Sequence, residues 1–317
     1  MAQKSRTSRP VNRPTKPKKS ARAKSGETAA ESRLTTFADR VATTGRSVLI
    51  HAVGGAGKTV LTIHKAPRPT LVLDCDNGLD SVIGTDDMEE IILWEPRNRV
   101  DYDWEDLDEF RNYVKAGEWR HKYQSIVVDN ATAAQKPVIR SVIDEMIERA
   151  AHKAATQNQD GQEDDETFGI DPDNPSRQGW GKIYRRFDKW ITDIRDAKRR
   201  GPHVIFTAGT SEWMDSAEGY TRMMPDIEGK ERNQVSTHFD AVMWLESDDE
   251  GRRLIVAPSG AFITKVRLPI QRHDKVPDVI EDPDFNSMIA AATLLDSEGG
   301  KKKAATKGPK RTRKPKP

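Results

Sequence analysis

The sequence predicts an α/β domain with a mostly parallel sheet flanked by helices, and three observations predict it. Along residues 45–290, short apolar runs of strand length alternate with amphipathic stretches of helical period. A glycine-rich turn stands between the first apolar run and the first helical stretch. Both ends of the chain are basic and almost free of large apolar residues, which confines the packed region to the middle.

Taken in order, Ser47–His51 reads as a strand leading into the glycine turn, and Gly57 to Lys65 as the helix after it. Thr70–Cys75 is a second strand and Glu90–Trp94 a third. Trp104–Ala116 has helical period. Ser125–Asp129 is an apolar, buried strand, followed by a helix from Ala131 to Ala154. In Ile183–Arg199, Ile183, Phe187, Trp190, Ile191 and Ile194 share one helical face. His203–Ala208 and Phe239–Glu246 read as strands. Arg253–Ala257 and Ala261–Arg267 read as a strand pair, with Pro258, Ser259 and Gly260 as its turn. Residues 209–230 read as a polar loop. Residues 156–177 read as a flexible acidic insertion.

The organisation expected is therefore a disordered basic arm over 1–36, a folded domain over 37–295 and a disordered basic tail over 296–317. Residues 1–24 hold nine Lys or Arg and no acid, and residues 301–317 hold nine more and no acid. The remaining 34 basic residues face all 50 acids, so 25–300 carries a net charge of −16 against +18 on the ends. Acid-free basic arms of this kind suit a polyanionic partner, and solubilising tails are the plainer reading. No run of about 18 apolar residues is present, so no membrane span is expected. The single cysteine, Cys75, makes an intramolecular disulfide impossible and suits a reducing cytoplasm, as a small buried hydrophobe more than a reactive thiol.

The glycine turn carries chemistry. Ala52-Val53-Gly54-Gly55-Ala56-Gly57-Lys58-Thr59 follows the Walker A pattern with Ala52 in the place of its first glycine. Gly54, Gly55 and Gly57 let backbone N–H groups turn inward around a phosphate, together with Ala56 and Val60. Lys58 reaches the β- and γ-phosphates, Thr59 ligates Mg²⁺, and the helix start adds a favourable dipole. ATP and Mg²⁺ are the expected cofactors. Asp129 closes an apolar strand about 70 residues later, as a Walker B acid does, and is the second expected metal residue. Asp76, just past the second strand, is placed to position or deprotonate an attacking water. The plainer role for Asp74 or Asp76 is a turn cap.

In the order of its motifs the chain resembles the RecA-like P-loop ATPases, and more closely the phage RecA-like nucleotide-binding proteins that include the Sak-group single-strand annealing ATPases. The likeness runs from about Ser47 to Ala290 through LDCDNG, DYDWEDLDEF, YQSIVVDNAT, GWGKIYRRF, VIFTAGT, MMPDIEGK, FDAVMWLE and ITKVRLP. It implies a RecA-like core and assigns the catalytic base to Asp76, where the family carries a Glu. It assigns a γ-phosphate sensor to Thr207, a DNA-contacting role to 209–230, and a finger acting on the neighbouring subunit to Lys265, Arg267 or Lys230. An exposed cation on a strand edge is the plainer reading of those three. The resemblance implies ATP-dependent binding and annealing of single-stranded DNA by a homo-oligomer, ring or filament, in a bacterial host cytoplasm, with a single-strand-binding protein as a candidate partner. A helicase, translocase or packaging motor, and a nucleotide-dependent scaffold with little turnover, stay open as alternatives.

The seven His show no metal-ligand spacing. Trp94, Trp180, Trp190 and Trp244 lie in apolar segments and read as core, whereas Trp213 in the polar stretch is the candidate for stacking on a base.

Overall fold

A computed structural model describes residues 44–64, 66–84, 88–98, 100–157, 175–215, 219–257, 261–267 and 277–293. The disordered arm and tail expected at the ends lie outside the described residues, as do Pro258 to Gly260 and most of the acidic stretch 156–177.

Besides three short 3-10 helices, eleven strands, five α-helices and one π-wound segment are present among the described residues. They are β1 (Ser47–His51), α1 (Val60–His64), β2 (Thr70–Asp74), β3 (Ile91–Leu93), α2 (Trp104–Ala116), β4 (Ser125–Asp129), α3 (Ala131–Gln157) and α4 (Arg177–Arg195). There follow β5 (His203–Ala208), β6 (Thr210–Asp215), β7 (Tyr220–Pro225), α5 (Glu231–His238), β8 (Ala241–Asp248), β9 (Gly251–Ile255), β10 (Lys265–Val266), β11 (Val279–Glu281) and α6 (Phe285–Thr293). The main sheet runs β11-β9-β8-β1-β5-β4-β2-β3, with β10 also on β8. The pairs from β8 to β3 along that order are parallel, and β9, β10 and β11 join antiparallel.

Alternation along the strands divides the core into two layers. Leu49, Leu71, Leu73, Ile126, Val128 and Phe206 face α2, α3 and α4, through Phe110, Val138, Phe187 and Trp190. Val48, Ile50, Val72, Val127, Ile205 and Met243 face α1 and α6, through Ile63, Phe285 and Met288. A sheet covered by helices on both faces needs such continuous apolar strands, which is why β1 and β4 are buried along their whole length. No helix among the described residues is long and apolar enough to cross a membrane.

The bounds expected for β1, α2, β4 and β5 are those observed. In α2, Asp103 and Asp106 form a reciprocal capping box, and Gly117 closes the helix at φ 74°. Elsewhere the structure corrects the reading. The first helix is a short π-wound segment, β2 ends at Asp74, and β3 is three residues long. The helix α3 extends to Gln157, and α4 starts at Arg177 and stops at Arg195, so the acidic stretch is flanked closely by helix.

Residues 209–230 are not a loop. Within them Thr210–Asp215 and Tyr220–Pro225 form the antiparallel pair β6–β7, in which Trp213 pairs with Arg222, and polar side chains hid strands held by their own backbone ladder. Arg253–Ala257 and Ala261–Arg267 do not pair with each other. The hairpin is β8–β9, turning at Asp249 and Glu250 with Gly251 at φ 137°, and β10 pairs with the start of β8 on the same edge as β9, the other edge being held by β1. Cross-strand ion pairing of Glu246 with Arg253 at 3.0 Å fits the observed register.

Candidate nucleotide site

The parallel core brings the ends of β1, β5, β4 and β2 to one edge of the sheet. Register sets His51 beside Ala208, Ile50 beside Thr207, and Asp74 beside Asp129. The glycine turn leaves β1 at this edge, where ligands meet open α/β sheets.

Gly55 and Gly57 hold φ of 79° and 91°, which only glycine adopts without strain. A Cβ on Gly54 or Gly55 would meet nothing within 4 Å, so these two backbone positions are open to a group entering the loop. The Lys58 ammonium donates to the carbonyls of Ala52 at 3.2 Å and Val53 at 3.1 Å, reaching back along the loop. Burial lowers its pKa, against the raising influence of Asp129 and Asp76.

Thr59 Oγ1 donates to Asp129 Oδ2 at 2.6 Å, and Thr207 Oγ1 donates to Asp129 Oδ1. The two residues expected to share Mg²⁺ are therefore side by side, and their hard oxygens suit that ion. Asp129 is buried, which raises its pKa, while the Thr207 and Thr59 hydroxyls pull it down again. Thr207 is fully buried and engages Asp129, which gives it an observed part in holding the carboxylate.

The second acidic group divides its labour. Asp74 accepts from the backbone N–H groups of Gly78 at 3.0 Å and Leu79 at 3.3 Å, so it caps the turn after β2. Asp76 instead accepts from the Asn130 amide. Its Oδ1 would lie 3.0 Å from a Cβ on Gly78, and Thr59 Oγ1 3.6 Å from the same point, so Asp76 and Thr59 approach one another over a bare glycine. Partial desolvation and then the neighbouring Asp74 charge raise the pKa of Asp76. Beside it opens a cleft of about 370 Å³ lined by Asp76, Tyr102, Lys136 and Arg140.

Sequence reasoning missed Asn130. Its Oδ1 accepts from Ala133 N at 2.8 Å, capping α3, while its amide reaches Asp76. An Asn immediately ahead of a helix was a legible cap, but its bond to Asp76 was not. His51 was also missed. It is fully buried behind the loop, donates Nε2–H to the Ile263 carbonyl at 2.9 Å, and accepts at Nδ1 from Thr210 Oγ1 at 3.3 Å. Burial lowers its pKa to about 4, so the ring is neutral.

Lys265, Arg267 and Lys230 are not brought to the loop of their own chain. Lys265 donates to the Ser236 carbonyl at 3.0 Å and Arg267 to the Thr237 carbonyl, at the C-terminal end of α5. Arg267 N also bonds Asp240 O, and Asp240 N bonds Ser47 O, which places the pair at the far end of β1. Lys230 lies over the Tyr184 ring at 5.3 Å. Trp213 is half-buried on β6, whereas Trp190 and Trp244 are core. Cys75 is a free thiol whose pKa burial raises. Among the described residues, one His does meet carboxylates in space: His238 Nε2 lies 3.0 Å from both Asp188 Oδ1 and Glu231 Oε1.

A family model described as an AAA domain matches residues 44–268, which takes in every element from β1 to β10. A comparison with curated proteins finds no match.

Proposed function

Since the chain belongs to the AAA domain family, we propose that it is a Mg²⁺-dependent ATPase of RecA-like type that acts on single-stranded DNA in annealing or recombination. The observation that carries the ATPase reading is the meeting of Thr59 with Asp129 beside the glycine loop, with Asp76 approaching from β2. Gly54 to Val60 hold the phosphates, Lys58 compensates their charge, and Thr59 and Asp129 hold the metal, which supplies charge neutralisation when bound. Asp76, oriented by Asn130 and open to a cleft, serves as the base for water.

The DNA part of the reading is supported by the charge division, +18 on the ends against −16 between them. The hairpin β6–β7, with Trp213 opposite Arg222, offers an aromatic and a cation on one element. Lys265, Arg267 or Lys230 would act on a neighbouring subunit of an oligomer, since each is engaged away from its own loop.

ATP hydrolysis measured with and without single-stranded DNA tests the reading, with Lys58→Ala as the control. Turnover that rises with DNA and is lost in Lys58→Ala is expected. A rate indifferent to DNA would remove the DNA assignment. Strand separation without annealing would move the protein to the translocases.

A further inference from the structure

The β8–β9 hairpin rises beside the glycine loop because β8 runs parallel to β1 and outlasts it, Trp244 pairing with His51 and four more residues following. Neighbouring residues of a strand point to opposite faces, and the two arginines of β9 show the consequence. Arg253 is taken up within the hairpin, by Glu246 at 3.0 Å and Asp248 at 2.5 Å. Arg252 turns the other way, toward the loop. A Cβ placed on Gly57 would lie 2.8 Å from the Arg252 Cζ, 2.9 Å from Nε and 3.0 Å from Nη2. The guanidinium therefore rests on the bare backbone of the residue just before Lys58. The Arg252 side chain is exposed, and among the described residues it has no carboxylate partner. Its strand is anchored by the backbone, Arg252 O accepting from Asp282 N at 2.9 Å.

We propose that Arg252 is a second cation of the nucleotide site, supplied by the same chain, that binds the α- and β-phosphates of the nucleotide. This rests on the nucleotide-binding reading of the loop. An unpaired guanidinium is a strong donor for phosphate oxygens. The part of such a loop that Gly57 occupies cradles the α- and β-phosphates, while the lysine serves the β- and γ-phosphates. Arg252 thus answers to a group that ADP and ATP share.

The test is equilibrium binding of Mg-ADP and Mg-ATP to the full chain, by calorimetry, for wild type, Arg252→Ala, Arg252→Lys, Arg253→Ala and Lys58→Ala. Arg252→Ala is expected to bind both nucleotides about tenfold more weakly, the effect of removing one charge-assisted hydrogen bond. Its ratio of ADP to ATP affinity and its melting temperature stay those of wild type. Arg252→Lys keeps the charge without the fork and falls between. Arg253→Ala binds as wild type. Full affinity in Arg252→Ala, with binding abolished in Lys58→Ala, overturns the inference and spares the site. A weakening confined to ATP, or an equal weakening in Arg253→Ala, also overturns it. Full affinity in Lys58→Ala removes the nucleotide site itself, and the inference with it.

Discussion

Thr59 and Asp129 stand 70 residues apart in sequence and are joined by a 2.6 Å hydrogen bond from the threonine hydroxyl to the carboxylate. The bond exists because β5 separates β1 from β4, spacing the loop that leaves β1 from the end of β4. Thr207 at the end of β5 fills the interval and donates to the other carboxylate oxygen.

Asp129→Asn is expected to separate function from stability. Burial raises the Asp129 pKa above its unfolded value, so the charged carboxylate costs stability at pH values above the folded pKa. The amide removes that cost and can still pair with hydroxyls, which donate or accept. If Asp129 holds the metal as proposed, turnover should drop about 100-fold or more in the variant. The melting temperature at neutral pH should be equal or higher. A marked fall in melting temperature would show that the carboxylate stabilises the fold.

Asp76→Asn should retain Mg-ATP and hydrolyse it about 100-fold more slowly, because the amide cannot take the proton of water. Desolvation and the Asp74 charge raise the pKa of Asp76, so the wild-type rate should climb with pH through a midpoint above that of an ordinary aspartate. Single-turnover hydrolysis across pH reads both. Wild-type turnover in the variant would hand the role to another acid.

His51 makes folding sensitive to mild acid. Its folded pKa of about 4 lies below the 6.5 of an ordinary histidine. Between those two values the unfolded chain binds a proton that the folded chain refuses, so stability is full above pH 6.5 and declines as pH falls toward 4. The decline attributable to this ring is about 3 kcal/mol. Urea unfolding at several pH values, compared with His51→Asn, isolates it. The pH slope should shrink in the variant, with a remainder from His203, whose pKa burial also lowers. An unchanged slope would place the acid sensitivity elsewhere.

Removal of residues 1–24 and 301–317 should weaken single-stranded DNA binding and flatten its salt dependence while basal ATPase stays near wild type. The ends carry +18 and the residues between them −16, so the body repels phosphates within a Debye length of about 8 Å. Each phosphate that the shortened chain no longer neutralises lowers the slope of log affinity against log salt by about 0.7. Affinity titrations at several salt concentrations measure it. Identical slopes with and without the ends would mean that they serve solubility alone.

The local determinants of this protein were legible in its sequence. Walker A spacing named the loop, because phosphate binding needs particular residues at consecutive positions. The place of Asp129 at the end of β4 was legible because an apolar run of strand length closes on an acid, and α2 because its caps Asp103 and Gly117 are local signals. Tertiary structure alone decided the rest. Asp74 and Asp76 are two residues apart and chemically alike, and only the fold gave one to a turn and the other to Asn130. The hairpin β6–β7 stayed hidden because its ladder is made by backbone groups that no side chain announces. Arg252 and Arg253 are the same residue twice, and pairing to β8 turned one into its own hairpin and the other onto Gly57. Composition sets what a side chain is able to do, whereas which neighbour it meets depends on strand order and register across long stretches of chain.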